Sequence, residues 1–241
     1  RDLGKLKEAE IYTRKAIEIQ PDFALSHMNL GIILSDIGKL KEAEISIRQA
    51  IKLNPAYARA FLNLGNILKD LGKLEEAEIS TRQAIKLNPH YARAYSNLSA
   101  ILMDNGKSLE AEETARKAVA LNSELASAHN NLANVLLKRM SFAEGWDHYE
   151  WRWEVNDRNT FIGERLATCK PEWVPTHRGR VLLWGEQGIG DQILFASLIP
   201  ELVELVDQLI IQIDERLIPL FKRSFDKQII YINRNQLIEE E

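Results

Sequence analysis

The sequence predicts an all-α superhelix of stacked helical hairpins over residues 1–153, followed by a partial α/β unit over residues 180–241. Three observations predict it. Small and apolar residues recur every 34 positions through the first part of the chain. All five tryptophans, Trp146, Trp151, Trp153, Trp173 and Trp184, lie beyond residue 145. Past residue 180, short apolar runs alternate with helical patterns, as in a parallel sheet. At ~150 residues per domain, 241 residues suggest two units, or one and a fragment.

Composition bounds the function classes. With 45% hydrophobic and 27% charged residues the chain is globular in type. No apolar run nears the ~20 residues of a membrane-spanning helix, and the N-terminus has no secretory stretch, so a cytoplasmic protein without a membrane span is expected. The single cysteine, Cys169, cannot build a disulfide or a thiolate cage alone, and no metal site is expected. Residues 1–153 hold 21 basic and 20 acidic side chains and residues 154–241 hold 10 and 15, giving the net charge of -4. Neither part is the basic surface that nucleic acid requires, so no nucleic-acid partner is expected.

The helical elements follow from the repeat. Gly4, Gly38, Gly72 and Gly106 are 34 apart, as are Ala9, Ala43, Ala77 and Ala111, then Ala16, Ala50, Ala84 and Ala118. Pro21, Pro55 and Pro89 follow, with Ser123 in the fourth place, and Leu30, Leu64, Leu98 and Leu132 complete the set. Leu30, Ile33, Leu34 and Ile37 make one face of a helix that Gly38 can end in a left-handed cap. The next helix runs from about Lys39 to about Leu53, where Pro55 stops it. Ala43 and Ala50 let the two helices approach closely. Each hairpin alone exposes an apolar face, so stacking stabilises the array. A half repeat occupies 1–23, full repeats 24–57, 58–91 and 92–125, and a variant repeat 126–153. This pattern resembles the tetratricopeptide repeat (TPR), a unit of helix, turn and helix. The resemblance implies a scaffold whose concave face binds a peptide or protein, and a start inside a repeat implies a chain that continues upstream.

Asn29, Asn63, Asn97 and Asn131 each precede a repeated leucine, with Asn66 and Asn134 three residues further on. On a helix Asn63 lies beside Asn66, and stacking would line such amides into a ladder. An amide donates and accepts, so it can pair with the backbone of an extended peptide of any sequence. The order Asn-Leu-Gly or Asn-Leu-Ala at 29–31, 63–65 and 131–133 resembles the asparagine ladder of O-linked N-acetylglucosamine transferases. The alternative is that these amides bond to each other or to adjacent helices and fix the superhelix. Lys39, Lys41, Glu42, Lys73, Glu75, Glu76 and Glu78 read as a solvated face without function.

The last repeat turns aromatic, with Phe142, Trp146, Tyr149 and Trp153 at helical spacing and Trp151 off the stripe. A terminal unit normally ends a stack with polar groups, so this stripe is expected to dock onto the following unit, with a carbohydrate platform as the alternative. Arg152 and His148 are expected to bond across that junction. Residues 154–179 lose the period and read as a linker, which Trp173, between Pro171 and Pro175, pins to a surface.

The α/β unit begins with a strand at Val181–Trp184 and a turn, Gly185-Glu186-Gln187-Gly188-Ile189-Gly190-Asp191. A helix over Gln192–Val206, a strand over Leu209–Ile213, a helix from Glu215 to about Phe225 and a strand over Ile229–Ile232 follow. Ligands of such sheets lie beyond the strand C-termini, where the turn falls. The turn lacks the Lys-Ser/Thr pair of a P-loop, and Ile193 takes the third place of a dinucleotide fingerprint. Asp214, at the end of the second strand, is still placed to grip a ribose hydroxyl, which keeps a dinucleotide-binding oxidoreductase fragment as one alternative. The stretch 184–191 with Phe195-Ala196 and Pro200 resembles the TPR-linked glycosyltransferases related to the heptosyltransferase family. That resemblance implies a Rossmann-like domain, the incomplete N-terminal lobe of a GT-B fold. It makes Asp191 the base for an acceptor hydroxyl and Glu186, Gln187, Gly188 and Gly190 ligand-binding positions. Ser197-Leu198 depart from the family's usual Arg-Tyr. The resemblance also implies a nucleotide-sugar donor and a carbohydrate or protein acceptor for a longer chain, the 241 residues alone being inactive. Asp191 also fits a helix N-cap. A further alternative is a non-catalytic interaction scaffold with a vestigial α/β cap.

Overall fold

The computed structural model describes residues 3–154, 166, 168–186, 188–225 and 228–233. The chain divides into two compact units, Arg1–Asp157 and Arg158–Glu241.

The first unit is a run of antiparallel helices. α1 (Leu3–Ile19) is followed by four pairs: α2 (Ala24–Asp36) with α3 (Leu40–Leu53), α4 (Ala58–Asp70) with α5 (Leu74–Leu87), α6 (Ala92–Asp104) with α7 (Ser108–Leu121), and α8 (Ala126–Lys138) with α9 (Phe142–Tyr149). A 3-10 turn, Glu150–Glu154, closes the unit. The ends are set by the residues that the repeat singled out. Gly38, Gly72 and Gly106 take φ of 88°, 75° and 76°, and the amide that follows each one returns to the last helical turn, as Lys39 N–H does to the Leu34 carbonyl at 2.8 Å. These are left-handed caps that only glycine adopts without cost. In the fourth pair Met140 occupies the same place at φ 64°, with Ser141 N–H bonded to the Leu136 carbonyl at 2.9 Å. Gly4 departs from its series and lies inside α1. Between pairs, the Asn54, Asn88 and Asn122 side chains accept from the backbone amide two residues on, at 3.0–3.2 Å, and so shape the turn ahead of the next helix.

Within the first three pairs one close approach recurs. A Cβ added at Gly31 would sit 2.5 Å from Ile47 Cγ1, and at Gly65 2.2 Å from Thr81 Oγ1. In the third pair the repeat puts Ser99 and Ala115 at the matching positions, and the Ser99 hydroxyl donates to the Ala111 carbonyl at 2.8 Å. As the first partner grows from glycine to serine, the second shrinks from isoleucine to alanine. Ala43, Ala77, Ala111 and Ala50, Ala84, Ala118 are all fully buried at the same seam.

The second unit is a three-stranded parallel sheet in the order β1 (Arg180–Trp184), β2 (Gln208–Ile213), β3 (Ile230–Asn233). Val181 pairs with Leu209, and Ile211 with Tyr231. Leu209, Ile211 and Ile213 pack on Ile199, Leu217 and Phe221 of the connecting segments to form the core. The single helix expected over Gln192–Val206 is instead α10 (Ile189–Phe195), a 3-10 turn (Ala196–Leu198) and α11 (Ile199–Leu205). Pro200 explains the break, since it brings no N–H to the ladder and its ring crowds the carbonyl four residues back. Likewise α12 (Ile218–Ser224) starts later than expected, with Pro219 in its first turn. Trp173 packs onto this core, and its indole N–H donates to the His177 carbonyl at 2.8 Å.

Candidate functional site

The helical unit presents two layers with different chemistry. The first helices of successive pairs touch directly, α2 against α4, α4 against α6 and α6 against α8, so they form the inner layer. The second helices are bridged by long side chains and form the outer one.

The expected asparagines all lie on the inner helices. Asn97 Nδ2 donates to Asn66 Oδ1 at 2.6 Å, joining α6 to α4. Asn131 Nδ2 donates to the Ser96 carbonyl and hydroxyl at 2.9 and 3.0 Å, joining α8 to α6. Asn63 has its Nδ2 buried without a hydrogen-bond partner, whereas Asn29 and Asn134 are exposed. The amides therefore do not form one continuous ladder. Three of them, Asn66, Asn97 and Asn131, stitch neighbouring repeats together and two are exposed, as are Arg59 and Arg93 at matching places on α4 and α6. Lys69 pairs with Asp104 at 3.3 Å on the same layer.

Five of the seven charges expected to be a solvated face without a role, Lys39, Glu42, Lys73, Glu76 and Glu78, are members of a repeated ladder on the outer helices. Arg48 holds Glu44 on its own helix at 2.8 Å and Glu76 on the next outer helix at 2.9 Å, and Lys73 returns to Glu44 at 2.9 Å. The same pattern joins Arg14 with Glu10, Glu42 and Lys39, then Arg82 with Glu78, Glu110 and Lys107. In the last rung Arg116 binds Glu112 and Glu144, and Arg139 takes the lysine's place on Glu112. Hydrogen bonds hold these carboxyls below the usual range: from Arg14 and then Lys39 at Glu10, from Lys73 and then Arg48 at Glu44, and from Arg116 at Glu144. At Glu78 partial burial pushes upward, but the Lys107 and Arg82 hydrogen bonds outweigh it. A signal for this ladder was present in the sequence, since Arg14, Arg48, Arg82 and Arg116 are 34 apart, as are their glutamates.

The aromatic end of the unit differs from expectation in its use of side chains. Trp151 stacks on His129, with centroids 4.1 Å apart and planes at 10°. His148 bonds to His129 rather than across the junction, Nδ1 to Nδ1 at 2.8 Å. The Arg152 guanidinium lies over the Tyr149 and Trp153 rings and pairs with Glu150. Trp146 remains 46% exposed.

In the α/β unit the glycine turn lies at the C-terminal end of β1, as expected. Gln192, buried, packs over Gly185 and accepts from the Asp214 amide at 3.1 Å, tying α10 to the end of β2. Gly188 is the N-cap of α10, so Asp191, exposed in the first turn, is not. Gly188 (φ -66°) needs no left-handed backbone; a Cβ there would meet only Asp191 Oδ2, at 3.9 Å, and one at Gly190 would meet nothing within 4 Å. Glu186 is half-buried, and Gln187 lies outside the described residues. Asp214 is engaged by Arg216, whose Nε donates at 2.8 Å, and not left open for a ribose. Among the described residues no group of three or more His, Cys, Asp or Glu is placed to hold a metal ion, and no helix is long and apolar enough to cross a membrane.

Models of the tetratricopeptide repeat match residues 1–23, 24–57, 58–91 and 92–125. Over 97 residues the chain is 30% identical to Protein FlbA of Caulobacter vibrioides, a match covering 38% of this chain and 16% of that protein's length. Among solved structures it is similar to pilF of Pseudomonas aeruginosa, with a TM-score of 0.57 and 26% identity over 65% of this chain and 71% of that one. YrrB, described as a TPR protein with an unusual peptide-binding site, gives a TM-score of 0.50 and 18% identity, covering 65% of this chain and 80% of its own.

Proposed function

The chain belongs to the tetratricopeptide repeat family through residues 1–125, and from that premise we propose that the helical unit is a protein-interaction scaffold that holds an extended peptide segment along its inner helices. The observation that carries this reading is the inner layer itself. Asn29 and Asn134 are exposed there, and so are Arg59 and Arg93 one repeat apart. Amides that donate and accept suit a peptide backbone, and guanidinium groups suit carbonyl or carboxylate oxygens. The fold is one on which a peptide-binding site has been described, in YrrB. The test is selection of peptides from a displayed library on the chain, followed by titration against the variant Asn29→Ala/Asn134→Ala and against Arg59→Ala/Arg93→Ala. Both pairs are exposed, so melting should be unchanged while binding weakens by ~10-fold or more, as loss of one or two hydrogen bonds to charged or amide groups gives. Failure to enrich any peptide, or equal binding by both variants, overturns the proposal.

The α/β unit is read as a non-catalytic companion of this scaffold. A second reading, sugar transfer with Asp191 as base, is favoured by one observation: the fold does not require glycine at 188 or 190, which leaves close approach of a ligand as a reason for them. Under it Glu186, Gly188, Gly190 and Gln187 would line an acceptor site, and a nucleotide sugar would be the donor in a longer chain. Saturation-transfer NMR with nucleotide sugars and simple saccharides separates the two. A saccharide signal that Gly188→Val abolishes supports transfer, and no signal from any of them supports the companion role.

A further inference from the structure

We propose that His129 and His148 form a proton-gated latch that holds α9 and the following 3-10 turn on α8. The latch tolerates a first proton and opens at the second.

The argument starts from a carbonyl. His129 is only 6% exposed, and its Nε2 lies 2.9 Å from the Ser123 carbonyl oxygen. A carbonyl can only accept, so Nε2 carries the hydrogen and Nδ1 of the neutral ring is an acceptor. The Nδ1 atoms of the two rings are 2.8 Å apart, which makes His148 Nδ1–H the donor and leaves His148 Nε2 as the pair's free basic nitrogen. That nitrogen lies 4.0 Å from Glu144 Oε1. A proton arriving there faces a carboxylate and leaves the bond between the rings in place. A second proton has only His129 Nδ1 to occupy, where it removes the acceptor and sets two donors against each other inside a partly buried contact.

The surroundings make that break consequential. Trp151 stacks on His129, so the 3-10 turn is attached to α8 through the same ring that the second proton disturbs. A Cβ at Gly145 of α9 would meet Leu137 Cδ2 at 2.8 Å, so α9 also lies tight on α8 beside the latch. The charged groups around His148 come from several elements. Glu144 and Asp147 are on its own helix, Arg116 is on α7 and pairs with Glu144, and His129 is on α8. Arg139, at the end of α8, is bound to Glu112, while Arg152 and Glu150 of the turn pair with each other. Burial, and then His129, lower the basicity of His148 against the raising effect of Glu144. The folded state therefore takes that first proton less readily than the opened one, so the latch begins to lose stability as pH falls below ~6.5, while the bond between the rings itself breaks only with the second proton.

Hydrogen exchange of the full chain at pH 7.5 and pH 5.0, corrected for the intrinsic pH dependence of the chemistry, tests this. Protection of residues 142–149 is expected to fall by about tenfold on acidification, while that of α2 to α7 holds. His148→Gln is the deciding variant. A glutamine amide can donate to neutral His129 or accept from its protonated form, so the latch stays shut at both values and the step disappears. Unchanged protection of 142–149 in the wild-type chain overturns the proposal, and so does an undiminished step in His148→Gln. Retained protection of α2 to α7 in the variant shows that it folds.

Discussion

The two seams of the helical unit are built on the same 34-residue period from opposite materials. Inside the first two pairs the contact is steric, glycine against isoleucine or threonine, with fully buried alanines around it. Between pairs, on the outer layer, it is a chain of arginines, lysines and glutamates that remain partly exposed. The first seam is short-ranged and indifferent to salt. The second is long-ranged, flexible and open to screening. One repeat length thus specifies both a tight hairpin and an ionic outer rim to the joint between hairpins, whose buried part is an apolar cluster shared by successive pairs.

The largest expected effect breaks the steric seam. In Gly31→Ala the new methyl meets Ile47 Cγ1 at 2.5 Å and the Ala43 carbonyl at 3.2 Å. Overpacking of this kind costs about 1–3 kcal/mol, offset by about 1 kcal/mol from alanine's better helix propensity. The expected net loss is about 1–2 kcal/mol by urea denaturation, unaffected by salt. Ile47→Ala opens space for the methyl, as Ala115 does for Ser99. The double variant should therefore be more stable than the sum of the singles by about 1 kcal/mol or more. Strict additivity would show that the seam is not steric.

A second change should stabilise. Met140 holds a left-handed backbone where the three earlier pairs have glycine. For a residue with a Cβ this costs about 1–2 kcal/mol. Met140→Gly loses unfolded-state restriction but relieves the strain, and its side chain is exposed, so little packing is lost. A gain of about 1 kcal/mol in denaturation free energy is expected, localised to α8 and α9 by hydrogen exchange. A loss instead would mean that the methionine packs in a way its exposure does not reveal.

How much of this could be read from the residues depends on range. The repeat, its caps at Gly38, Gly72 and Gly106, and the three strands were legible because each is a local pattern. Met140 was not flagged, because a positive φ at a non-glycine residue leaves no mark on the sequence when the hydrogen bonds around it decide the geometry. The break at Pro200 is legible in principle, but the apolar spacing on either side of it continues one helical period across the proline. The asparagines were found and their partners were not. Asn97 reaches Asn66, 31 residues back, and Asn131 reaches Ser96, 35 back, so the pairing depends on the offset between stacked helices. The same holds for His129 and His148, whose contact needs the fold. Asp191 stands out in the sequence through the resemblance that makes it a base and as a possible N-cap, but which residue caps α10 depends on where the helix starts, and Gly188 takes that place.

The smallest effect per site belongs to the charge seam, and it is the one that distinguishes the two seams most cleanly. Each exposed pair contributes about 0.2–1 kcal/mol, so Glu44→Gln, which loosens Arg48 and Lys73 together, should cost about 0.5–1 kcal/mol at low salt and much less in 1 M NaCl, where screening is nearly complete. The pH dependence has a definite sign. Glu10, Glu44, Glu78 and Glu144 have folded pKa values below their ordinary value of 4.5. The unfolded chain therefore binds protons first as pH falls. The ladder's contribution is complete above pH ~4.5 and is lost as pH drops through the lower folded values. This window lies below that of the histidine pair, so urea midpoints measured from pH 7.5 to pH 3 should show two separate declines. Glu44→Gln should shrink the lower one and leave the upper one intact. Gly31→Ala should displace the whole curve downward without altering its shape, because a methyl pressed against Ile47 carries no proton. A change of shape in that variant would mean that the two seams are coupled through the outer helix they share, with Ile47 and Arg48 adjacent on α3.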